Sequence, residues 1–403
     1  MTRILGLLIF IFLLSACGKE NEPKTFPLNE KQQEVIDAGN QFGLSLFQEV
    51  NIFEKEGKNI FISPLSISMA LGMTLNGAYN STLDQMKTAM FFSKLSNDNV
   101  NKTYRYLLDN LISLDPKVSL QIANSIWYKN TFTVLPDFLN TNISYFDATV
   151  SPLDFNDPTA KDVINNWVKT KTNDKIKTII DQIEDNMVMY LINAIYFKGQ
   201  WKYQFKKTDT RNVDFIKTDN TIISVPMMHL KSDMKFLVND LFRAIELPYG
   251  EGNYSMLVMV PEGSNNVNHL VDALNPENWN NWLSAMHVSK DADINLPKFK
   301  FEYELKMNNV LKAMGMTEAF EAGMADFSRI NPDADLYITE VKHKSFVEVN
   351  EEGTEAAAVT SVGIGVTSMP DNYFIANKPF LFIIKEKNTN AILFIGKIME
   401  PVN

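Results

Sequence analysis

Apolar side chains recur at helical spacing over residues 30–53, where Val35, Ala38, Phe42, Leu46, Phe47 and Val50 share a face. A helix is expected there. A short strand over 59–63 leads into Ser63-Pro64-Leu65-Ser66. A serine flank with proline in the first turn opens a helix, because the N–H that proline lacks is one the first turn leaves unpaired anyway. That helix, 66–76, carries Met69, Ala70, Met73 and Thr74 on one side. Helices are also expected over 82–90, 100–114, 136–145 and 158–172, the last two at the surface. Residues 118–128 alternate by two instead, through Val118, Leu120, Ile122, Asn124, Ile126 and Tyr128, which is a strand pattern. Residues 187–197 form a long β-rich run, and several strands follow over 212–260 with a turn at Pro248-Tyr249-Gly250. Two short helices over 266–286 meet at Asn275-Pro276. Then come a strand (293–303), a helix (305–314), a strand (337–350) and a closing hairpin, 373–385 with 391–399, turning through 387–390. Helices come early and strands late, with no regular βαβ alternation and no repeat. That order favours an α+β fold over a doubly wound parallel sheet. No linker interrupts 30–403, so one large domain is expected.

One stretch fits neither pattern cleanly. Residues 351–370 read EEGTEAAAVTSVGIGVTSMP, with no charge after Glu355. Taken in twos, Thr354, Ala356, Ala358, Thr360, Val362, Ile364 and Val366 form an uncharged set that turns from small to apolar. Glu355, Ala357, Val359, Ser361, Gly363, Gly365 and Thr367 form the other. Alternate side chains of a strand face opposite ways, so this segment is written to become a half-buried strand. Gly353, Gly363 and Gly365 weaken an ordinary strand, and the composition equally suits a pliable linker.

Composition narrows the chemistry. The 403 residues are 45% hydrophobic and 21% charged, which is globular. A net charge of −10 gives no basic excess to neutralise phosphates, so nucleic acid is not an expected partner. The single cysteine, Cys17, excludes an intrachain disulfide and a cysteine metal cluster. The four histidines are widely spaced, and no H-E-x-x-H, phosphate-binding loop or G-x-S-x-G appears. No metal, cofactor or catalytic set is expected.

At the N-terminus, Arg3 precedes an apolar run over 4–14, too short for the roughly 20 residues that span a bilayer. Leu14-Ser15-Ala16-Cys17 follows, which resembles the bacterial lipobox, where the cysteine is lipidated and becomes the first mature residue. An ordinary secretory signal with an incidental cysteine is the other reading. The expected division is a signal peptide at 1–16, a polar tether at 17–29 and a folded domain at 30–403. A lipid-anchored protein of the cell envelope, at the outer membrane, periplasmic or surface-exposed, is the corresponding expectation.

Several segments together are similar to the serpins. Asn59-Ile60-Phe61-Ile62-Ser63-Pro64-Leu65-Ser66-Ile67 with Ala70-Leu71 and Asn76-Gly77-Ala78 resembles the family's helix B region. Asn193-Ala194-Ile195-Tyr196-Phe197-Lys198-Gly199-Gln200-Trp201, with Phe205 beyond, resembles the third strand of its sheet A. Val225-Pro226-Met227-Met228 and Leu296-Pro297-Lys298-Phe299 are further matches. Val349 to Ala358 resembles the serpin hinge, and Asn377-Lys378-Pro379-Phe380-Leu381-Phe382 with Phe394-Ile395-Gly396-Lys397 its C-terminal signature. The matches run in family order from about 34 to 401.

The resemblance implies one α+β domain with a large central sheet A, two smaller sheets, about eight to nine helices and an exposed reactive-centre loop. It also implies a mechanism. A target endopeptidase attacks the loop and forms an acyl-enzyme; the cut loop then inserts into sheet A as a new strand and distorts the protease. The hinge residues are then Glu351, Gly353, Thr354, Ala356 and Ala358. Thirteen inserted residues would make a strand of about 43 Å, and a one-residue slip would bury Glu355, so the pattern specifies its own register. Counting from the hinge places the scissile bond at Thr367-Ser368; counting back from Pro379-Phe380 points at Ser368, and Val366 stays a candidate. These residues suit small apolar pockets, as in elastase- or subtilisin-like serine proteases, with a cysteine protease reading Val366 as the lesser option. Ser63, Ser66, Asn193 and His343 match the shutter beneath sheet A, which is also how satisfied core polar groups read. Trp201 matches the breach where insertion starts, and reads equally as a core aromatic. Ser63 and His343 lack an acid partner and are not expected to form a catalytic pair. The protein is expected to act as a monomer and an inhibitor; a non-inhibitory surface binding protein and a surface hydrolase are the alternatives.

Overall fold

The computed structural model describes residues 23–354 and 372–402. Nine α-helices lie among them: α1 (Glu30–Phe53), α2 (Pro64–Leu75), α3 (Asn80–Ala89), α4 (Asn97–Leu111), α5 (Pro136–Phe146), α6 (Ala160–Lys171), α7 (Val267–Asp272), α8 (Pro276–Ala285) and α9 (Asn308–Ala313). Their starts follow local chemistry. Asn29 caps α1 in a reciprocal box, its side chain accepting from Gln32 N while its own N–H donates to the Gln32 side chain, both at 2.9 Å. Ser63 caps α2 ahead of Pro64, and Asn275 caps α8 ahead of Pro276.

Among the described residues fifteen strands form one nine-stranded sheet and two of three. The large sheet comprises β1 (Ile60–Ile62), β5 (Arg211–Ile216), β6 (Ile222–Val238), β7 (Phe242–Tyr249), β8 (Tyr254–Pro261), β9 (His287–Pro297), β13 (Tyr373–Ile375), β14 (Phe380–Glu386) and β15 (Ile392–Ile398). Its order is β1-β15-β14-β8-β7-β6-β9-β13, with β5 on β6. The smaller sheets are β3-β2-β4, from β2 (Val118–Lys129), β3 (Thr149–Leu153) and β4 (Met189–Gly199), and β10-β11-β12, from β10 (Phe299–Lys306), β11 (Lys342–Asn350) and β12 (Gly353–Thr354). This is the α+β architecture expected.

The core lies where β8, β14 and β15, buried along their whole lengths, meet α1 and α2. Phe61 stacks on Phe394 and Phe382 at 5.1 and 5.6 Å, and Gly396 leaves the room: a Cβ there would lie 2.2 Å from the Phe382 ring. A second apolar cluster, including Trp127, Ile164, Val168 and Met187, seats α6 on β3-β2-β4.

Some boundaries differ from the pattern for identifiable reasons. The strand expected over 293–303 is two strands, broken where Pro297 has no N–H to donate and Lys298 N turns to the Pro226 carbonyl at 2.9 Å. β10 continues to Lys306, so α9 starts at Asn308 rather than 305. β11 starts only at Lys342, because the preceding backbone bonds elsewhere: Ile338 N to Ala319 O at 2.7 Å, and Val341 N to the Asn308 side chain at 2.9 Å. The strand expected over 373–385 splits at Pro379 into β13, which runs parallel to β9, and β14. β3 was not foreseen. Residues 23–29, the described end of the segment expected as a tether, lie against the folded body. Phe26 is only 6% exposed, and the carbonyls of Lys24 and Phe26 accept from Asn253 and Asn388 side chains at 2.6 and 3.1 Å.

Candidate functional site

β4 and β11 share no ladder. A cleft with a cavity of about 220 Å³ opens between them, lined by Ser66, Leu71, Met189, Asn193, Ile338 and His343 among others. Beyond the cleft, at the far end of β11, the hinge folds back: the chain leaves β11 at Asn350, turns through Glu351-Glu352 and returns as β12, pairing Val349 with Thr354 and Asn350 with Gly353. Gly353 also bridges Gln200 just beyond β4, so β12 sits between the two three-stranded sheets. Only glycine fits that point. Gly353 has φ +150°, and a Cβ would lie 2.0 Å from the Gly199 carbonyl oxygen. Thr354, expected to lead insertion, is 5% exposed, its hydroxyl 2.9 Å from that of Tyr249.

Aromatic and charged groups hold this fold-back. Tyr249 stacks on Trp201 at 4.4 Å. Trp201 donates its indole N–H to the Asn350 carbonyl and its backbone N–H to the Glu352 carbonyl, both at 2.9 Å. Trp201 is thus a buried core aromatic whose two N–H groups hold the turn at 350–352. Glu351, 1% exposed, accepts from Thr210 at 2.8 Å and pairs with Lys298 at 3.0 Å. Burial by itself pushes this carboxyl upward, but backbone and Thr210 hydrogen bonds and the Lys298 ammonium outweigh it, so its pKa lies below the ordinary value. Glu352 pairs with Lys207 at the surface, at 2.6 Å. Tyr249, Thr210, Lys298 and Lys207 were not singled out in the sequence; Tyr249 and Lys298 stood there only as parts of a turn and of a family match.

Further down, the four expected shutter residues come together in one network. Ser63 N donates to His343 Nε2 at 3.2 Å, and Ser63 Oγ donates to the Leu393 carbonyl at 2.8 Å. Ser66 N donates to Ser63 Oγ at 3.2 Å, and the Ser66 hydroxyl donates to the Asn193 side-chain oxygen. Asn193 in turn donates to Asn124 at 2.6 Å, and Asn124 to the Phe146 carbonyl at 2.6 Å. Asn124 is a member the sequence reading missed; its signal was a polar residue in the same register as Leu120 and Ile122. Burial pulls His343 down to a pKa of about 4, so the ring is neutral and accepts at Nε2. This is not a nucleophile and base. The Ser63 hydroxyl is committed to Leu393 and Ser66, and His343 faces the Ser63 N–H instead. Ala356, Ala358, Val366, Thr367, Ser368 and Cys17 lie outside the described residues. Among the described residues no metal-binding cluster is found.

The family described as Serpin (serine protease inhibitor) matches residues 37–401. The chain belongs to the serpin family. The leukocyte elastase inhibitor of Xenopus tropicalis is 35% identical over 388 residues, covering 92% of this chain and 100% of that one. Among solved structures, the native state of tengpin, a thermophilic serpin, aligns with a TM-score of 0.81 at 35% identity, covering 95% of this serpin and 97% of tengpin. Thyroxine-binding globulin in complex with thyroxine aligns with a TM-score of 0.82 at 27% identity, covering 91% of this chain and 99% of that one. In family terms the two three-stranded sheets correspond to sheet A, and the cleft between β4 and β11 to the gap in it.

Proposed function

We propose that this serpin inhibits endopeptidases as a suicide substrate. One observation carries the reading: Thr354 is seated beside β11, and further along the same strand, from His343 and Lys344, a cleft opens between β11 and β4. The uncharged set that follows, Ala356, Ala358, Thr360, Val362, Ile364 and Val366, would fill the inward face of a strand extended down that cleft. The protease hydroxyl attacks the Thr367 carbonyl, the C–N bond to Ser368 breaks, and the new Ser368 amine leaves with a proton. Insertion then outruns hydrolysis of the acyl bond. Val366 and Thr367 favour elastase- or subtilisin-like serine proteases, with papain-like cysteine proteases second. The sequence around Cys17 supports lipidation there and a place in the cell envelope, at the outer membrane. The test is incubation with elastase and with subtilisin, followed by a denaturing gel and the mass of the released fragment. A stable complex, with a fragment starting at Ser368, supports the reading. Clean cleavage with no complex and no rise in Tm would indicate a binding protein instead.

A further inference from the structure

The residues before α1 take a fixed path over the body. Phe26 is buried and meets the Tyr106 ring edge-on at 5.8 Å. Three carbonyls of this short stretch are each held by a side chain from a different place: Lys24 O by Asn253 at 2.6 Å, Phe26 O by Asn388 at 3.1 Å, and Pro27 O by the Tyr106 hydroxyl. A segment that only leads into a helix has no need of such a grip. Asn253 belongs to the β7–β8 turn, which also forms the wall of the hinge site. Within that turn Gly252 N donates to Tyr249 O at 2.7 Å, and Gly250 N donates to Gln200 O at 2.7 Å. Glu251 N is fixed by Asp115 at 2.7 Å, and a Cβ on Gly250 would lie 2.3 Å from the Asp115 carboxylate. Asn253 O accepts from Lys387 N at 2.8 Å, tying the turn to the β14–β15 connection that Asn388 occupies. The turn is thus a stiff piece, and its first residue, Tyr249, carries the contact to Thr354.

We propose that residues 23–28 form a strap that steadies this turn and, through Tyr249, holds the hinge, so that the strap sets how fast the loop inserts. The proposal rests on the insertion mechanism above, but its contact with the hinge does not. Loosening the strap frees the turn, weakens the hold of Tyr249 on Thr354 and lowers the barrier to opening the cleft.

The test uses the full chain with Phe26→Ala, Phe26→Leu and Asn253→Ala. Amide hydrogen exchange is followed at 249–254 and 353–354, beside the rate at which uncleaved protein converts on warming to a heat-resistant form. Expected are exchange and conversion each faster by roughly tenfold in Phe26→Ala and Asn253→Ala, with Phe26→Leu close to the parent. Faster exchange confined to residues 23–30, with 249–254 and 353–354 unchanged, overturns the strap. So does an unchanged conversion rate in a parent that does insert its loop. If the parent shows no insertion even after loop cleavage, the inhibitory reading fails by itself, and exchange at 353–354 still decides whether the strap reaches the hinge.

Discussion

The hydroxyl of Tyr249 lies 2.9 Å from the hydroxyl of Thr354, with both residues buried. Tyr249 closes β7 of the large sheet, while Thr354 ends a two-residue strand on the smaller one. Thr354 is therefore already part of the fold, and its side chain is held by one neutral hydrogen bond with the aromatic stack behind it. Such a bond contributes about 1 kcal/mol, enough to seat the side chain and little enough to yield to a growing strand.

Arginine at position 354 would have to bury its charge beside Tyr249 or leave the sheet, and either outcome blocks insertion at its first step. Thr354→Arg should be cleaved by elastase or subtilisin as readily as the parent yet leave no complex on a denaturing gel. Undiminished complex formation would rule out insertion led by this residue.

Alanine at 353 tests the same junction without charge. Its Cβ would collide with the Gly199 carbonyl, a backbone atom that cannot step aside cheaply. Gly353→Ala should expel β12, speeding amide exchange at Thr354 by a hundredfold or so while the rest of the molecule keeps its protection. Protection at Thr354 equal to the parent's would show that the junction is softer than its geometry states.

Much of this was legible beforehand, for physical reasons that differ by region. Amphipathic helices such as α1 and α4 announce themselves by period. Ser63, Ser66, Asn193 and His343 were singled out by family resemblance and lie in one hydrogen-bond network, while Asn124 was visible only as a polar residue in an inward register. Periodicity cannot see partners distant in the chain. Glu351 was named as a hinge residue, but Lys298 and Thr210, which fix it, lie 53 and 141 residues away. Phe26, a lone aromatic between two prolines, belongs to no repeat, so its burial had no signal.

The Glu351–Lys298 pair gives a third prediction. Glu351 is almost fully buried and Lys298 largely so. Removing one partner strands the other's charge, which costs roughly 3 kcal/mol or more. Lys298→Ala and Glu351→Lys should both lower the urea midpoint of the native state, and the swapped double variant should recover part of the loss. A Lys298→Ala variant as stable as the parent would show the carboxylate to be satisfied by Thr210 and the backbone alone.

The last prediction concerns acid. His343 is 5% exposed and accepts the Ser63 N–H, and burial pulls its pKa from 6.5 down to about 4. The unfolded chain takes up its proton below about 6.5, while the folded chain resists it until about 4. The neutral ring's contribution is thus fully present above pH 6.5, shrinks steadily as pH falls through that window, and is gone below 4. The whole swing is on the order of 3 kcal/mol. Because the ring lines the cleft, the same proton would also break the Ser63–His343 hydrogen bond there, so on the proposed mechanism mild acid should hasten spontaneous insertion as well as unfolding. Urea melts between pH 8 and 5 should show a slope that His343→Gln lacks. If the two slopes coincide, some other group carries the acid sensitivity, and the ring must be reached by water before the cleft opens.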